Sequence, residues 1–213
     1  MNSRYMTSGK LFVVCGIDGS GKSTQISNLA RYLEEKSYEV VKTRQPTDMY
    51  RQDAVVRAAL NLDISPHVVA EELALFSAFD RARHIREVIN PALAQGKIVL
   101  SDRYVYSTFA YFLARGLTDI EWLKLINRSV PIPSLTFYID VDPEVAKQRI
   151  ISRDGNSRKR EEIDMERMTR VRRTFLDQPW GEVKSYVIVD GQLSIDSVWA
   201  RIRSAVDVAL AES

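Results

Sequence analysis

The sequence contains very little cysteine. A single cysteine, Cys15, occurs in 213 residues, so the chain cannot form an internal disulfide bond. This composition suits a reducing compartment, and we therefore expect a cytoplasmic protein.

Long apolar runs are absent as well. No stretch approaches the roughly 20 apolar residues that a membrane-spanning helix requires. Residues 1–10 are polar and lack the hydrophobic segment of a secretory leader. The sequence therefore predicts no attachment to a membrane.

A strong charge of either sign is also missing. Lys and Arg number 30 and Asp and Glu 28, which gives a net charge of only +2 at pH 7. Nucleic-acid-binding domains usually carry more positive charge, so we expect no nucleic-acid partner. No repeat, low-complexity tract or Pro/Gly-rich linker interrupts the chain, and we interpret residues 1–213 as a single domain.

What the chain does contain is an alternation of short apolar runs with amphipathic segments, which is typical of βαβ units. The apolar runs predict strands at 11–15, 40–43, 98–101, 135–139 and 186–189. The amphipathic segments predict helices at 22–36, 55–60, 67–94, 106–114, 119–128, 144–152, 165–176 and 194–211. We expect an α/β fold with a doubly wound, five-stranded parallel sheet flanked by helices.

The segment 153–162 does not fit this alternation. It is strongly charged, contains Gly155 and Asn156, and has no apolar residue to anchor it. We interpret it as a short mobile flap, or lid, between two helices.

The clearest local signal follows the first predicted strand. Residues 16–23 read Gly-Ile-Asp-Gly-Ser-Gly-Lys-Ser and match the phosphate-binding loop G-x-x-x-x-G-K-[ST] between a strand and a helix. Lys22 is expected to reach the β- and γ-phosphates of ATP, and Ser23 to ligate Mg²⁺. The segment Asn-Lys-x-Asp, with which GTPases read guanine, does not occur in the sequence. The predicted ATP-binding residues here are Gly16, Ile17, Asp18, Gly19, Ser20, Gly21, Lys22, Ser23 and Thr24.

A second signal is a carboxylate at the end of the third predicted strand. Asp102 follows the apolar run 98–101 and is followed by Arg103. A strand-end aspartate in a phosphate-loop protein typically holds Mg²⁺ or its water shell, and an adjacent arginine can clamp a phosphate. A surface Asp-Arg pair at a strand end is the plainer alternative.

Three segments together resemble the thymidylate kinase family. They are Asp18 within the phosphate-binding loop, residues 43–46 (Thr-Arg-Gln-Pro), and residues 102–111 (Asp-Arg-Tyr-Val-Tyr-Ser-Thr-Phe-Ala-Tyr). The resemblance extends over about residues 11–176. It implies a P-loop kinase fold, ATP and dTMP as substrates, Mg²⁺ as cofactor, and a homodimer.

The resemblance also implies roles for single residues. Asp18 would approach the deoxyribose 3′-hydroxyl, Arg44 and Arg103 would bind the acceptor phosphate, and Pro46 would fix the turn that aims Arg44. Arginine suits this role because its planar guanidinium pairs with phosphate oxygens bidentately. Base and sugar contacts are implied for Ser107, Thr108 and Tyr111, with Tyr111 blocking a ribose 2′-hydroxyl. An ordinary loop carboxylate at Asp18 and simple helix packing of Tyr111 are the alternatives.

The charged flap resembles the lid of that family. Phosphoryl transfer requires positive charge around the moving group, and the phosphate-binding loop contains no arginine. The resemblance therefore implies that Arg158 and Arg160 supply catalytic charge, while Arg149 and Arg153 contact ATP. The alternative is a solvated basic loop.

Two positions depart from the family pattern. Gln45 stands where the family usually has Glu, which removes one carboxylate near the acceptor. The family also has a Phe four residues before an Arg, which together contact the thymine base, whereas Phe76 precedes Arg81 by five. One extra residue turns a helix by about 100°. We therefore expect either a π-bulge between the two or a different aromatic, such as Phe79, at the base; Phe79 packing in the core is the alternative.

Three functions remain open at this stage. The leading hypothesis is transfer of the γ-phosphoryl group of ATP to dTMP, which yields dTDP and ADP. A kinase for other nucleotides or nucleosides is the second. A non-catalytic nucleotide-binding regulator is the third, and the arginine-rich flap argues against it.

Overall fold

The computed structural model describes residues 9–60, 69–155, 162–181, 183 and 185–211. Five parallel strands in this part of the chain form one sheet with the order β2-β3-β1-β4-β5. The strands are β1 (Lys10–Cys15), β2 (Val40–Arg44), β3 (Ile98–Asp102), β4 (Leu135–Asp140) and β5 (Tyr186–Asp190). The central strands are buried along nearly their whole length, because helices cover both faces of a parallel sheet. The predicted five-stranded parallel sheet is confirmed.

The carboxyl ends of three strands meet at one edge of the sheet. Val14 of β1 and Arg44 of β2 both pair in register with Asp102 of β3. The phosphate-binding loop, the turn after β2 and Arg103 therefore leave the sheet side by side. In open parallel sheets, ligands bind outside this edge.

Helices connect the strands and flank the sheet. Within the described residues they are α1 (Lys22–Glu35), α2 (Asp48–Arg51), α3 (Ala54–Leu60), α4 (Ala70–His84), α5 (Asn90–Ala94), α6 (Val105–Ala114), α7 (Ile120–Ile126), α8 (Pro143–Asp154), α9 (Met165–Asp177) and α10 (Ile195–Ala211). α1 packs against α10, where the Tyr32 and Trp199 rings meet edge-on at 5.5 Å, and α6 packs against α9. None of the helices in the described residues is long and apolar enough to cross a membrane.

The long predicted helix 67–94 differs from the structure. In the described residues α4 begins at Ala70, and the first two residues of the predicted helix, 67 and 68, lie outside the described residues. A π-helical turn at Ile85–Ile89 separates α4 from α5. This π turn lies after Arg81, so it does not alter the relative directions of Phe76 and Arg81. The expectation of a π-bulge between these two residues is wrong.

The predicted flap 153–162 also begins differently. α8 continues to Asp154, so the first two residues of the predicted flap are helical. Residues 156–161, which include the predicted lid residues Arg158 and Arg160, lie outside the described residues.

The short helix α2 does not follow from the sequence patterns. It begins after Thr47, whose side-chain oxygen accepts a hydrogen bond from Met49 N at 3.3 Å. A threonine followed by an acidic residue in the first turn is a recognised start signal for a helix. Four residues, however, are too few to show a helical period.

Candidate active site

The loop between β1 and α1 has the backbone geometry of a phosphate-binding loop. Gly21, directly before α1, has a φ angle of 94°, and Gly19 has a φ angle of 79°. Glycine adopts this left-handed region without steric cost. A Cβ atom on Gly19 would lie 2.3 Å from the carbonyl oxygen of Ala146 in α8. Glycine at this position therefore allows the loop to approach α8 closely.

Lys22 lies inside this loop. Its side chain is buried, and Nζ donates a hydrogen bond to the carbonyl oxygen of Ile17 at 2.8 Å. Burial, followed by the positive charge of Arg103, lowers the pKa of Lys22 to about 8. A negative ligand in the loop would favour the charged ammonium and so raise this pKa.

Several side-chain oxygens at this edge are buried without a hydrogen-bond partner in the described part of the chain. Two of them are Ser20 Oγ, in the phosphate-binding loop, and Asp102 Oδ1, at the end of β3. An unpartnered buried oxygen costs about 1–3 kcal/mol, so such atoms in a site indicate an interaction with a ligand or water. Ser23 is exposed at the start of α1, where its hydroxyl is accessible. These oxygens fit a magnesium ion with part of its water shell.

A cavity of about 190 Å³ adjoins the loop. Five arginines and two carboxylates line it, so the lining carries excess positive charge and suits an anionic ligand. The predicted acceptor residues that line it are Asp18, Pro46, Arg103, Ser107, Thr108 and Tyr111. The other lining residues are Tyr50, Arg51, Val56, Arg57, Leu60, Ser77, Tyr104, Phe112, Arg115, Glu162 and Arg167.

Arg103 joins this cavity to the loop. Nη1 donates to the Gly16 carbonyl oxygen at 2.8 Å, and Nη2 donates to Asp18 Oδ1 at 2.6 Å. The guanidinium carbon lies 4.9 Å from the centre of the Tyr111 ring. The backbone of Arg103 has a φ angle of 67°, and Ser101 Oγ donates to its carbonyl oxygen at 2.7 Å. A non-glycine residue in the left-handed region is uncommon and is typically held there at functional sites.

Asp18 is kept ionised by its neighbours. Burial by itself raises its pKa, but the positive charges of Arg103, Lys22 and Arg167 outweigh burial and hold the pKa of this carboxyl below its usual range. An ionised carboxylate can only accept hydrogen bonds. Asp18 is therefore suited to accept one from a ligand hydroxyl group.

The structure places two arginines differently from expectation. Arg44 is exposed at the end of the edge strand β2, pairs with Asp48, and does not line the cavity. Arg51, from α2, does line the cavity, and its Nε donates to the Pro46 carbonyl oxygen at 2.8 Å. Burial and then the charge of Arg103 lower the pKa of Arg51. Arg51 thus faces the cavity in the way that was expected of Arg44.

Arg167 is a second cavity residue that the sequence analysis does not single out. It belongs to the first turn of α9, the helix that follows the predicted flap. Its guanidinium carbon lies 5.7 Å from the centre of the Tyr111 ring, which therefore contacts two arginines. Its position in the first turn of the helix that follows an arginine-rich flap is the sequence feature from which its role could have been predicted.

Part of the cavity is apolar. Tyr50, Val56, Leu60 and Phe112 form this part of the lining. A cavity with arginines near the phosphate-binding loop and an apolar portion matches the two chemical halves of a nucleotide, the phosphate and the base.

The expected base contacts, Phe76 and Arg81, do not line the cavity. Phe76 packs against Tyr50 with ring centroids 5.4 Å apart. Arg81 is only 1% exposed, and it donates hydrogen bonds to Thr108 Oγ1 and, at 3.3 Å, to Asn127 Oδ1. Because Thr108 lines the cavity, Arg81 stands directly behind the lining.

Phe79 takes neither of the positions expected for it. Phe79 is 59% exposed, and its side chain neither lines the cavity nor packs in the core. Phe79 therefore lies on the outer face of α4.

The residues expected near ATP make local contacts in the structure. Arg149 Nη2 donates to the Gly191 carbonyl oxygen at 3.1 Å. Arg153 forms ion pairs with Asp154 at 2.5 Å and with Glu162 at 3.7 Å. Glu162 lines the cavity, so this cluster connects the end of α8 to the cavity rim.

Comparison with known proteins assigns the chain to a family. The sequence model described as "Thymidylate kinase" matches residues 14–202. The chain belongs to the thymidylate kinase family. A protein named "Probable thymidylate kinase" from Thermococcus kodakarensis is 35% identical over 95% of this chain and 100% of its own length. Another of that name from Pyrococcus horikoshii is 36% identical over 91% of this chain and 94% of its own length. A "Thymidylate kinase" from Bifidobacterium longum is 34% identical over 89% and 93%.

Within the thymidylate kinase family, Gln45 is the first departure, and it lies away from the cavity. Its Nε2 donates to His84 Nδ1 at 2.9 Å, and His84 Nε2 lies 2.7 Å from Thr43 Oγ1. Burial lowers the pKa of His84, which favours the neutral ring that can accept this hydrogen bond. The neutral amide of Gln45 therefore pairs with a neutral histidine. Neither residue lines the cavity, so this departure from the family pattern leaves the lining unchanged.

Proposed function

We propose that this member of the thymidylate kinase family transfers the γ-phosphoryl group of ATP to dTMP, giving dTDP and ADP. The observation that carries the proposal is the position of Arg103, whose guanidinium contacts Gly16 and Asp18 of the phosphate-binding loop and also lines the cavity. A donor phosphate in the loop and an acceptor phosphate in the cavity would thus meet at one cation. The names of the relatives support dTMP as the acceptor.

Catalysis in this arrangement is alignment and charge neutralisation. The loop and Lys22 bind the phosphates of ATP, while Arg51 and Arg103 bind the acceptor phosphate from the cavity side. Arg167 adds positive charge from α9. The acceptor phosphate is already ionised at neutral pH, so the reaction needs no general base. Arg158 and Arg160, proposed to supply lid charge, lie outside the described residues.

Mg²⁺ is the proposed cofactor. Ser23 and Asp102 are the residues that would hold it, directly or through water, and the unpartnered Asp102 Oδ1 supports this choice. The ion would neutralise charge on the β- and γ-phosphates of ATP. Among the described residues no cluster of three or more His, Cys, Asp or Glu side chains forms a metal site. A phosphate-loop site requires none, because the nucleotide itself supplies ligands.

The first experiment is an assay of acceptor-dependent ADP release with ATP and Mg²⁺. The acceptors are dTMP, dUMP, dCMP, dAMP, dGMP, UMP and thymidine. We expect turnover chiefly with dTMP. Similar rates with several bases would keep the kinase but discard thymidylate specificity, and turnover with thymidine alone would indicate a nucleoside kinase. ATP binding without turnover of any acceptor would replace the proposal with the nucleotide-binding regulator.

We further propose a homodimer that forms through α4. Leu75 and Phe79 are 52% and 59% exposed and lie four residues apart, on one face of α4. Leu125 of α7, which packs against α4, is 58% exposed. Adjacent exposed apolar side chains of this size are typical of protein interfaces, and the family resemblance implies a second copy as the partner.

Sedimentation velocity tests the dimer. We expect twice the 24.3 kDa mass of the chain, and dissociation on Phe79→Glu. Val208→Glu is the matched control, because Val208 is equally exposed (58%) on α10. A wild-type monomer, or equal loss of mass with both variants, would refute α4 as the interface. A cytoplasmic location, a single domain and the absence of nucleic-acid and membrane partners remain predictions.

A further inference from the structure

We propose that Tyr50, carried by the short helix α2, is the aromatic platform on which the acceptor base stacks. This inference rests on the proposed function, because it concerns the base portion of the same acceptor cavity. It assigns the stacking role to a residue outside α4, and it gives Phe76 the role of a support behind Tyr50.

A serine of α4 faces the acceptor cavity. Ser77, not Phe76, lies four residues before Arg81, and Ser77 lines the cavity whereas Phe76 does not. α4 is a regular α-helix from Ala70 to His84, so the side chains of Phe76 and Ser77 differ in direction by about 100°. The helix therefore presents a small hydroxyl to the cavity at the position where an aromatic ring would be needed for stacking.

Tyr50 lines the acceptor cavity, although only 6% of the residue is exposed. Phe76 packs against it at 5.4 Å with an interplanar angle of 40°, and the Arg115 guanidinium interacts with its hydroxyl. The ring is thus held on α4 and on α6–α7, while part of its surface faces the cavity. A ring fixed in this way loses little conformational entropy when a base stacks on it.

The start of α2 is attached to α4 through two hydrogen bonds. Asp80 accepts hydrogen bonds from Thr47 N at 2.8 Å and from Thr47 Oγ1. Asp80 is buried and directly precedes Arg81. Arg51, next to Tyr50, is tied to the Pro46 carbonyl oxygen. The loop after β2 therefore presents two neighbouring cavity residues on one rigid turn, a guanidinium for the acceptor phosphate and a phenol ring for the base.

The remaining lining is consistent with a flat apolar ligand beside Tyr50. Val56 and Leu60 of α3 and Phe112 of α6 line the same cavity. Serine at position 77 leaves the volume that a second ring would occupy. Stacking of a nucleobase on an aromatic side chain is worth about 1–3 kcal/mol, which corresponds to about 5- to 150-fold in affinity.

The test compares a ligand that has a base with one that lacks it. Calorimetry measures binding of whichever nucleotide of the acceptor panel binds the wild-type protein most tightly, and competition measures binding of 2-deoxyribose 5-phosphate. Tyr50→Ala should weaken nucleotide binding about 5- to 150-fold and leave binding of the sugar phosphate within about twofold. Tyr50→Phe, which keeps the ring, should stay within about threefold for both. Thermal unfolding of each variant establishes that it is folded.

A second pair of variants separates Tyr50 from Phe76. Phe76→Leu keeps apolar packing behind Tyr50 and should weaken nucleotide binding much less than Tyr50→Ala. In the Tyr50→Ala background, Ser77→Phe should restore much of the lost affinity, because it supplies a ring four residues before Arg81. Equal weakening of nucleotide and sugar phosphate by Tyr50→Ala would overturn the proposal, since Tyr50 would then only support Arg51. A larger loss with Phe76→Leu than with Tyr50→Ala would also overturn it.

These results can be distinguished from a failure of the proposed function. The calorimetric comparison needs a bound nucleotide but no turnover, so it can succeed in a protein that fails the kinase assay. A wild-type protein that binds no nucleotide more tightly than the sugar phosphate would overturn the stacking proposal even if ADP release were observed.

Discussion

Replacing Lys22 with methionine is expected to lower kcat on the order of 10³-fold. The loss follows from the position of the ammonium, which is buried inside the phosphate-binding loop and donates a hydrogen bond to the carbonyl oxygen of Ile17 in that loop. A preorganised positive charge on transferring phosphoryl oxygens is typically worth this much. Methionine keeps the length and apolar contacts of the side chain, so the loop should remain folded. Steady-state kinetics with saturating dTMP measure the effect, and retention of activity within tenfold would contradict it.

The pKa of Lys22 provides a second readout for the same variant. With a pKa of about 8, the ammonium of the free protein is charged at pH 7 and mostly neutral at pH 9. Binding of ATP requires the charged form, so a proton must be taken up at high pH. Affinity for MgATP should therefore fall by about tenfold between pH 7 and pH 9 in the wild type. Lys22→Met should bind weakly at both values, without this fall.

The sheet and the phosphate-binding loop could be predicted because their signals are local and strong. The three central strands are apolar along nearly their whole length because helices cover both of their faces, and the bounds of all five predicted strands differ from the structure by one residue at most. The loop pattern fixes glycines where the backbone needs them, as Gly19 does against Ala146. The same reasoning placed Asp102 at the carboxyl edge of the sheet.

The acceptor cavity was less predictable because it depends on which way side chains point. Strand alternation places Arg44 on the same exposed face as Lys42 in the edge strand β2, and this period of two was visible in the sequence. The positions of Tyr50 and Arg51 could not be predicted in this way, because α2 is too short to show a helical pattern of apolar residues. The position of α2 also depends on a hydrogen bond to Asp80, which is distant in the sequence. Phe79 was expected to lie inside the protein, either at the base or in the core, but α4 directs its side chain to the surface.

Replacing Arg103 with methionine is expected to lower kcat/KM for dTMP on the order of 10³-fold and to destabilise the fold. The variant removes the hydrogen bonds to Gly16 and Asp18 and the cation beside Tyr111. An arginine that contacts a transferring phosphoryl group commonly contributes 10³-fold or more. Loss of two hydrogen bonds, one to a charged partner, should cost about 1–3 kcal/mol of unfolding free energy. Kinetics and urea unfolding measure the two effects separately.

The double variant Asp18→Asn with Arg103→Met decides what Arg103 does. If the guanidinium binds the acceptor phosphate, neutralising Asp18 should recover much of the lost stability, because no carboxylate is then left without its partner, but it should not recover activity. The single variant Asp18→Asn keeps Arg103 and serves as the matched control. Recovery of activity in the double variant would mean that Arg103 only compensates the charge of Asp18. In that case the other arginines of the lining would have to bind the acceptor phosphate, and Arg51 and Arg167 are the candidates because both interact electrostatically with Asp18.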